Sequence, residues 1–573
     1  MKTDLEFSLL YPPGSPRSTG KNRWGENTVE DLGINLLAWD LSLQNKYQPA
    51  IQTILLELCS DIDTLTYRQQ VLQDFLDLPA LSSALQELLP ALAKLNDYAE
   101  ARSQKGPLPE TLGRLTELNA YITCVRKLQA ILSAAGAGAS SRGLAALAVE
   151  LGRLAEDETF ISLENGLPEL LAKLNTVPSI TIGINLDSEL NPVEAALLAI
   201  HDKPFRDNTL FGRLLGKAAG QNSEHPIGPM HEVPYLMVNG IDTRVVRIPD
   251  RADPHLVPLF RDLFDILRNI LDPIARGLKQ YAQVNARLLI QLEGEIAFYL
   301  GAVALIRRIQ AAGLPMCSPQ AVSLDARICS MQGMVNLILA QHQLDASLTT
   351  VAETIVPNDV DFGPQGRIFI LTGPNQGGKT VFTQGIGLAQ VLFQAGLYVP
   401  AQSARISPVD GIYTHFTTLE KTGEGTGRLA EEAKRLNEIF QSISDKSLVL
   451  LNESLSSTSP GESLYLARDI VRALKLFGVR AIFATHLHEL AEDLDQFNAS
   501  LPGDSRLVSL VAGVISETGE QAGPTDAVRS TYQIKPGPPR GLSYAHAIAV
   551  RYGISYEQLE QGWRSRQSSS QPG

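Results

Sequence analysis

The sequence predicts an α+β multidomain protein, with an all-α N-terminal half that carries a small β segment, followed by an α/β domain. Leucines between residues 72 and 92 recur at three- and four-residue spacing, which is the period of an amphipathic helix. From about Pro315 strand and helix patterns alternate, which is typical of an α/β domain. Within that second half, a glycine-rich turn at residues 373–378 joins a strand pattern to a helix pattern.

Length and composition indicate an ordinary globular protein. The chain has 573 residues, which corresponds to about three or four domains. An apolar fraction of 44% with 19% charged residues is usual for such proteins. The net charge of −13 argues against a protein that coats DNA generally, but it leaves open a local basic groove.

The cysteines and the N-terminus indicate the compartment. Four cysteines lie far apart without a C-x-x-C pair, which favours a reducing environment and excludes a cysteine zinc site. Residues 1–6 carry acids where a signal peptide needs an apolar core. The longest apolar run, residues 296–306, is too short to cross a bilayer of about 30 Å as a helix. We therefore expect a soluble cytoplasmic protein.

The first part of the chain divides by composition. Residues 1–30 are rich in Pro, Gly, Ser and Arg and predict an irregular arm. The pattern is then helical to about residue 130, and Pro79 and Pro90 should start or break helices within it. A small-residue linker at residues 134–143 precedes a further predicted helix at residues 144–156.

The middle of the chain contains the small β segment. Residues 179–186 alternate β-branched residues and predict a strand. Residues 201–233 look like a loop whose basic residues are either ordinary solvated charge or a DNA-facing surface. Residues 235–248 predict a second strand pair, and residues 256–312 predict a long helix, interrupted near Pro273, that forms a spanning arm.

The glycine-rich turn fits the phosphate-binding pattern G-x-x-x-x-G-K-[ST], with Gly373, Gly378, Lys379 and Thr380 at the fixed positions. Only glycine lets successive backbone N–H groups curl around a phosphate without an intervening side chain. The dipole of the helix that begins near Lys379 acts at the same point. Lys379 is expected to reach the β- and γ-phosphates, and the Thr380 hydroxyl to ligate Mg²⁺. The turn therefore predicts binding of ATP or GTP.

Two further strand patterns end in polar residues that suit this site. Residues 447–453 predict a buried parallel strand, whose C-terminal end should lie at the ligand crevice. Glu453 is the candidate base that positions the attacking water. Asn452 stands before it, where such sites usually have Asp; its amide can accept a bond from a metal-bound water but brings no negative charge. We therefore expect weaker Mg²⁺ retention or slower turnover. The third strand, residues 479–486, ends at His486, which could sense the γ-phosphate through its ring N–H.

These blocks together resemble the MutS family of DNA mismatch-repair ATPases, which belongs to the ABC-type class. The resemblance covers roughly residues 356–555 and rests on six stretches of sequence: Thr372-Gly-Pro-Asn-Gln-Gly-Gly-Lys-Thr380, Gly396-Leu-Tyr-Val-Pro-Ala401, Asp410-Gly-Ile-Tyr-Thr414, Ala484-Thr-His-Leu-His-Glu-Leu490, Lys535-Pro-Gly537 and Ser543-Tyr-Ala-His-Ala-Ile-Ala549. It implies an ABC-type P-loop ATPase domain that uses ATP and Mg²⁺, with His486 as the switch histidine. The implied nucleotide-binding residues are those of the turn: Gly373, Pro374, Asn375, Gln376, Gly377, Gly378, Lys379 and Thr380.

The resemblance also implies that a dimer partner supplies the second half of each active site, from a serine-bearing helix N-terminus. Such an end is an anion site. The corresponding region here is residues 423–432, where Gly427 stands at the position of the serine and Thr426 is the nearest hydroxyl. After Glu453 the family has GRGTS, whereas residues 454–459 of this chain keep only the Thr-Ser. Both departures, like Asn452, affect the expected hydrolysis.

The implied domains are an irregular arm at residues 1–30, a helical core and lever at residues 31–314, and the ATPase domain with C-terminal dimerisation helices at residues 315–573. The Phe-x-Glu motif, with which mismatch-recognising members insert a Phe into DNA, does not occur in this sequence. The chain is therefore similar to short paralogues that lack the mismatch-recognition domain.

The leading hypothesis is a homodimeric, ATP-driven clamp on double-stranded DNA that is mismatched, branched or distorted, working with further repair proteins. Its DNA contacts would be mostly to phosphate and therefore salt-dependent. The alternative is an ABC-type ATPase that acts as a protein-assembly or regulatory factor without direct DNA binding. A P-loop kinase or a transporter cassette fits less well, because no transmembrane partner segment is present and the Thr-His strand end is unlike a kinase.

Overall fold

A computed structural model describes residues 7–15, 23–101, 107–174, 179–189, 192–201, 203, 272–282, 284, 286–346, 351–417, 428–516, 528–539 and 553–568. The strand pair expected at residues 235–248, most of the loop at residues 201–233, Thr426 and Gly427, and the C-terminal block at residues 543–549 lie outside these ranges. The described chain is a mixture of helices and several sheets, so the predicted α+β class is confirmed.

The helices are numbered here in chain order. Those that precede the second half are α1 (Thr28–Asp31), α2 (Ile34–Asp40), α3 (Gln48–Leu56), α4 (Ile62–Asp77), α5 (Pro79–Ala101), α6 (Pro107–Ala135), α7 (Arg142–Glu156), α8 (Glu158–Leu174) and α9 (Arg287–Ala311). Those of the second half are α10 (Leu337–Asp345), α11 (Val351–Thr354), α12 (Lys379–Gln394), α13 (Arg428–Ser442), α14 (Pro460–Phe477), α15 (His488–Glu492), α16 (Leu494–Ser500) and α17 (Tyr556–Ser568).

The strands form three sheets. They are β1 (Arg23–Trp24), β2 (Ser179–Leu186), β3 (Pro192–His201), β4 (Gln320–Ala321), β5 (Cys329–Met334), β6 (Asn358–Phe362), β7 (Ile368–Thr372), β8 (Ser403–Ile406), β9 (Gly411–Phe416), β10 (Leu448–Asn452), β11 (Arg480–Ala484), β12 (Leu507–Ser516) and β13 (Val528–Pro536). β2 and β3 pair as an antiparallel hairpin, so the predicted strand at residues 179–186 is observed with a partner that the sequence reading missed. A four-stranded sheet has the order β4-β8-β5-β6.

The largest sheet has seven strands in the order β1-β9-β10-β11-β7-β12-β13. All neighbouring pairs are parallel except β12 and β13. Every residue of β7, β9, β10 and β11 is buried, as expected for parallel strands covered on both faces. One face packs against α13, α14, α15 and α16. The parallel order places the carboxyl ends of β7, β10 and β11 at one edge of the sheet.

Two compact units divide the chain differently from the predicted domains. One consists of residues 1–7, 78–139 and 144–296, and the other of residues 8–77, 140–143 and 297–573. The units therefore do not follow the expected boundaries at residues 30 and 314. The reason is that residues 8–77 contribute core and sheet to the second unit, which local sequence patterns do not reveal.

Part of the predicted irregular arm belongs to this core. Residues 7–15 contain no helix or strand, as expected, but Leu9 and Leu10 are buried. The hydroxyl of Tyr299 donates to the Leu9 carbonyl at 2.8 Å, and Nε of Arg68 donates to the Leu10 carbonyl at 2.9 Å. Strand β1 extends the large sheet beside β9. The prediction of an arm was wrong for β1, because edge pairing fixes two residues that have no strand pattern of their own.

The helical expectations need two adjustments. Pro79 starts α5 as predicted, but Pro90 lies inside α5 without ending it. Buried leucines on both sides, among them Leu85 and Leu92, hold that helix together by tertiary packing. Helix α9 has the length and the apolar composition of a membrane span, but 78% of its most apolar window is buried, which is typical of a core helix in a soluble protein. Residues 287–311 therefore form a mostly buried helix, whereas the sequence predicted that they would belong to an extended helical arm.

Gly301 in α9 tests how closely this helix packs. A Cβ at this position would overlap the backbone carbonyl of Leu41, whereas a Cβ at Gly294 in the same helix meets nothing within 4 Å. We expect Gly301→Ala to lower the free energy of unfolding by about 1–3 kcal/mol, the usual cost of overpacking. Gly294→Ala should leave stability unchanged or raise it by up to about 1 kcal/mol. Urea denaturation of both variants checks this; equal effects would contradict the close contact.

Candidate active site

The glycine-rich turn connects β7 to α12 as a tight loop. Gly373 has φ of 145° and Gly378 has φ of 89°, in a region that favours glycine. A Cβ on Gly373 would lie 2.7 Å from Cβ of Ala512, so a larger residue does not fit there. Gly378 occupies the position before the first turn of α12. The strand, turn and helix that the motif requires are therefore all present.

Lys379 is the first residue of α12, and its side chain is only 3% exposed. Its ammonium donates to the carbonyls of Gly373 at 3.1 Å and Pro374 at 3.0 Å, and Nζ lies 4.0 Å from Oε1 of Glu453. Burial lowers the pKa of Lys379, and the Glu453 charge opposes that shift. A cation surrounded mainly by neutral carbonyls in a buried site is well suited to meet an anion.

The side chains of Thr380, at the start of α12, and Asn452, at the end of β10, contact each other. The Thr380 hydroxyl donates to Oδ1 of Asn452 at 3.2 Å. Asn452 is the last residue of β10 and is buried, whereas Thr380 is the second residue of α12 and is exposed. Hydroxyl and amide oxygens are hard donors of the kind that Mg²⁺ accepts together with waters. The pair therefore has the chemistry to hold Mg²⁺, although it brings no charge.

Glu453 and His486 contact each other directly, which the sequence reading missed. Nε2 of His486 lies 2.9 Å from Oε1 of Glu453. Because a carboxylate can only accept, the hydrogen is on Nε2. The two side chains are 34% and 41% exposed, so both reach solvent at the edge of the sheet.

The backbone at Glu453 is strained. Glu453 has φ of 53° and Leu455 has φ of 67°, in the left-handed region that non-glycine residues avoid. Each such residue costs on the order of 1–3 kcal/mol and persists only where its surroundings enforce it. The Glu453 N–H donates to the carbonyl of Ala484 at 2.8 Å, which ties this turn to the end of β11.

The middle of the turn faces outward, whereas Gly377 is buried. Asn375 and Gln376 are exposed, and Gln376 has φ of 61°. The N–H of Gly377 donates to the Pro374 carbonyl at 3.1 Å, which closes the turn. Near the site, His488 is half-buried at the start of α15, and burial lowers its pKa.

A cavity of about 460 Å³ adjoins the turn. Its lining includes Lys379, Thr380 and Glu453 together with apolar residues such as Leu339 and Val356. Tyr532 on β13 closes one side, and its ring lies within van der Waals distance, 3.5 Å, of where a Gly378 Cβ would be.

Tyr532 is a site residue that sequence reasoning missed. It has φ of 58° and lies at an interruption of the β12–β13 pairing. Asn358 holds the strand there: its Nδ2 donates to the Tyr532 carbonyl at 3.0 Å, and its Oδ1 accepts from the Ile534 N–H at 2.6 Å. These contacts join residues 174 to 176 positions apart in the chain, so no local pattern signals them.

The structure thus brings Lys379, Thr380, Asn452, Glu453 and His486 to one edge of the sheet. Thr426 and Gly427 lie outside the described residues. Among the residues that are described, no group of three or more His, Cys, Asp and Glu side chains could hold a metal. The four cysteines are all described and all unpaired.

Comparison with protein families gives two matches. The family model described as the MutS2 N-terminal domain matches residues 60–312. The model described as MutS domain V matches residues 369–509, a range that holds the turn, Asn452, Glu453 and His486.

Curated relatives agree with these matches. The chain is 30% identical over 228 residues to the DNA mismatch repair protein MutS of Lactobacillus johnsonii, covering 40% of this chain and 25% of that protein. It is 32% identical over 220 residues to the Endonuclease MutS2 of Thermus thermophilus, covering 38% and 27%. For the MutS of Chlorobium limicola the identity is 26% over 335 residues, covering 58% and 36%. The match thus spans about a quarter to a third of each relative's length.

Proposed function

Because this chain belongs to the MutS family, we propose that it is an ATP-dependent DNA-binding protein, a dimeric clamp that ATP drives on mismatched, branched or distorted DNA. The observation that carries the proposal is the convergence of Lys379, Thr380, Glu453 and His486 at the carboxyl ends of neighbouring strands. Ligands of open α/β sheets bind at such an edge.

Within the ATPase domain, each residue has a role that follows from its position. The backbone N–H groups of residues 373–378 and the start of α12 cradle the phosphates, and Lys379 contacts the β- and γ-phosphates. Glu453 accepts a hydrogen bond from the attacking water and orients it. His486 donates from its ring to the γ-phosphate and, in the free protein, to Glu453.

Mg²⁺ fits the oxygen donors of Thr380 and, through water, Asn452. When bound, the ion neutralises charge on the phosphate oxygens. The Thr380 hydroxyl already donates a hydrogen bond to the Asn452 side chain, so the two ligand oxygens lie next to each other. The neutral amide weakens retention of the ion relative to a carboxylate.

The cavity beside the turn suits the base and ribose of the nucleotide. Its lining combines the charged residues Lys379 and Glu453 with the apolar residues Leu339 and Val356 and with Tyr532, whose ring lies beside Gly378. Asn358 holds the backbone carbonyl of Tyr532, and the Tyr532 ring offers a face on which a purine can stack. The stacking face beside the phosphate-binding turn supports ATP as the cofactor.

A second copy of the chain completes the site in the proposed dimer, with the region of Thr426 and Gly427 contacting the partner's nucleotide. Helix α17 supports a dimer formed through the C-terminal region of the ATPase domain. Its exposed Tyr556, Leu559 and Trp563 recur at three- and four-residue spacing and so form one apolar stripe. We propose the helical core and lever within residues 31–314 and the ATPase domain within residues 315–573, with residues 8–77 contributing to the same compact unit as the ATPase domain.

Asn452→Asp should raise Mg²⁺-dependent hydrolysis about tenfold, which corresponds to about 1.4 kcal/mol. The physical reason is that the new carboxylate attracts the ion. The Thr380 hydroxyl, which is proposed to bind that ion, lies only 3.2 Å from the present amide oxygen of Asn452. Turnover measured across a Mg²⁺ titration checks this. Asn437→Asp, the same change at an exposed position of α13, is the control and should change nothing. An unchanged or slower rate in Asn452→Asp would show that the missing charge does not limit the enzyme.

DNA binding is tested with homoduplex, mismatched and branched DNA, with and without ATP, across a salt series. The proposal predicts a preference for branched or distorted DNA and affinity that falls with salt, because phosphate contacts release counterions. It also predicts that ATP changes the affinity, since the clamp has at least two states. Absence of binding to all three DNAs at low salt would instead support a regulatory ATPase that assembles proteins.

A further inference from the structure

The place of the Glu453 carboxylate depends on an unusual backbone. Glu453 and Leu455 both adopt left-handed φ values, although neither is glycine. A chain free of constraints would relax toward extended or helical angles and carry the carboxylate away from His486. Contacts that hold residues 452–455 therefore decide where this carboxylate points.

One set of contacts comes from Thr417, just after β9. Its hydroxyl lies 3.1 Å from the carbonyl oxygen of Asn452 and 3.4 Å from that of Glu453, and its one hydrogen is shared between them in a bifurcated bond. These two carbonyls belong to the peptide groups on either side of the Glu453 Cα. A single hydroxyl thus fixes the orientation of the strained residue from the β9 side, while Ala484 accepts the Glu453 N–H from the β11 side.

The second set of contacts is a buried pair, His415 with Ser454. Nδ1 of His415 lies 2.8 Å from Oγ of Ser454, and the same Oγ lies 3.2 Å from the His415 carbonyl. Both contacts are satisfied at once when the hydroxyl donates to the carbonyl and Nδ1–H donates to the hydroxyl. Burial, together with the Arg435 charge, lowers the pKa of His415 to about 4, so the ring is neutral at pH 7.

We propose that Thr417, Ser454 and His415 are positioning residues that hold the Glu453 turn against β9 and thereby aim its carboxylate at the attacking water. The proposal rests on the ATPase function assigned to Glu453 above. None of the three side chains needs to touch nucleotide. His415 and Ser454 are each at most 3% exposed, so their contacts are with the turn and not with solvent.

Hydrolysis tests the proposal through three variants. Thr417→Val keeps the shape and removes the hydroxyl, and Ser454→Ala removes the link to His415; each should lower kcat about tenfold while KM for ATP changes less than twofold. Thr417→Ser keeps the donor and should restore turnover. Thr66→Val, which removes a comparable hydroxyl-to-carbonyl bond in α4, is the control and should behave as wild type.

A second measurement asks whether the effect passes through Glu453. In a Glu453→Gln background, single-turnover rates should not fall further when Thr417→Val is added, since the group being positioned is already inactive. A full additional tenfold loss in the double variant would overturn the proposal, because Thr417 would then act independently of Glu453.

Amide hydrogen exchange without nucleotide tests the positioning separately from catalysis. Thr417→Val and Ser454→Ala should each speed exchange of the Glu453 N–H about tenfold, while Thr66→Val leaves it unchanged. Unchanged exchange at Glu453 in both site variants would overturn the proposal even if wild-type protein hydrolyses ATP. Failure of wild-type protein to bind or hydrolyse ATP would instead refute the ATPase function, and exchange would still decide whether these residues hold the turn.

Discussion

Lys379→Ala should abolish ATP binding at working concentrations, weakening affinity at least about 100-fold, which corresponds to about 2.7 kcal/mol or more. The ammonium is buried at the first residue of α12 and contacts the loop carbonyls that surround the proposed phosphate site. Alanine removes the only positive side chain among the residues that line the adjoining cavity. Isothermal titration calorimetry of the protein with a non-hydrolysable ATP analogue, in the presence of Mg²⁺, measures the loss of affinity.

Lys434→Ala is the matched control, because that lysine is 78% exposed on α13 and pairs with the exposed Glu438. It should bind the analogue like wild type. The melting temperature of Lys379→Ala, measured without nucleotide, separates loss of binding from loss of fold. A folded Lys379→Ala that binds ATP normally would remove the phosphate-cradle assignment.

Glu453→Gln should lower turnover by about 100- to 1,000-fold with ATP affinity retained, within the range expected for loss of a general base. The amide keeps the shape of the side chain and can still accept from Nε2 of His486 through its carbonyl oxygen. It cannot take a proton from water. Pre-steady-state hydrolysis and analogue binding, measured on the same sample, give the two quantities.

Glu438→Gln, the same change at an exposed residue of α13, provides the control and should retain full turnover. Bound ATP would persist in Glu453→Gln because it is not hydrolysed. Addition of ATP should therefore raise the fraction of dimer, measured as the average mass in solution, more in that variant than in wild type. Wild-type turnover in Glu453→Gln would mean that another group activates the water.

Much of the site could be predicted from sequence because its parts are local. The β7 strand, the turn and α12 are consecutive, and hydrophobic runs that end in polar residues identify β10 and β11. The placement of Glu453 and His486 at the same edge then follows from parallel pairing alone. Their direct contact does not, because it depends on the left-handed turn after β10.

What sequence reasoning missed rests on distant contacts. Tyr532 reaches the cavity through the pairing of β13 with β12 and through Asn358, far away in the chain, which bonds the β13 backbone. The Leu9 and Leu10 carbonyls accept hydrogen bonds from Tyr299 and Arg68, which are far away in the chain. The local composition, rich in Pro and Gly, therefore predicted an arm where the structure has core residues. Pro90 has the sequence signature of a helix break, but packing of the neighbouring leucines outweighs it.

The most direct measurement is an experimental structure with Mg²⁺ and a non-hydrolysable ATP analogue. The triphosphate should lie along residues 373–378, with a γ-phosphate oxygen at hydrogen-bond distance, about 2.7–3.2 Å, from Nζ of Lys379 and Nε2 of His486. The base should lie against the Tyr532 ring. Nucleotide bound elsewhere, or a γ-phosphate that contacts neither Lys379 nor His486, would contradict the proposed ATPase site.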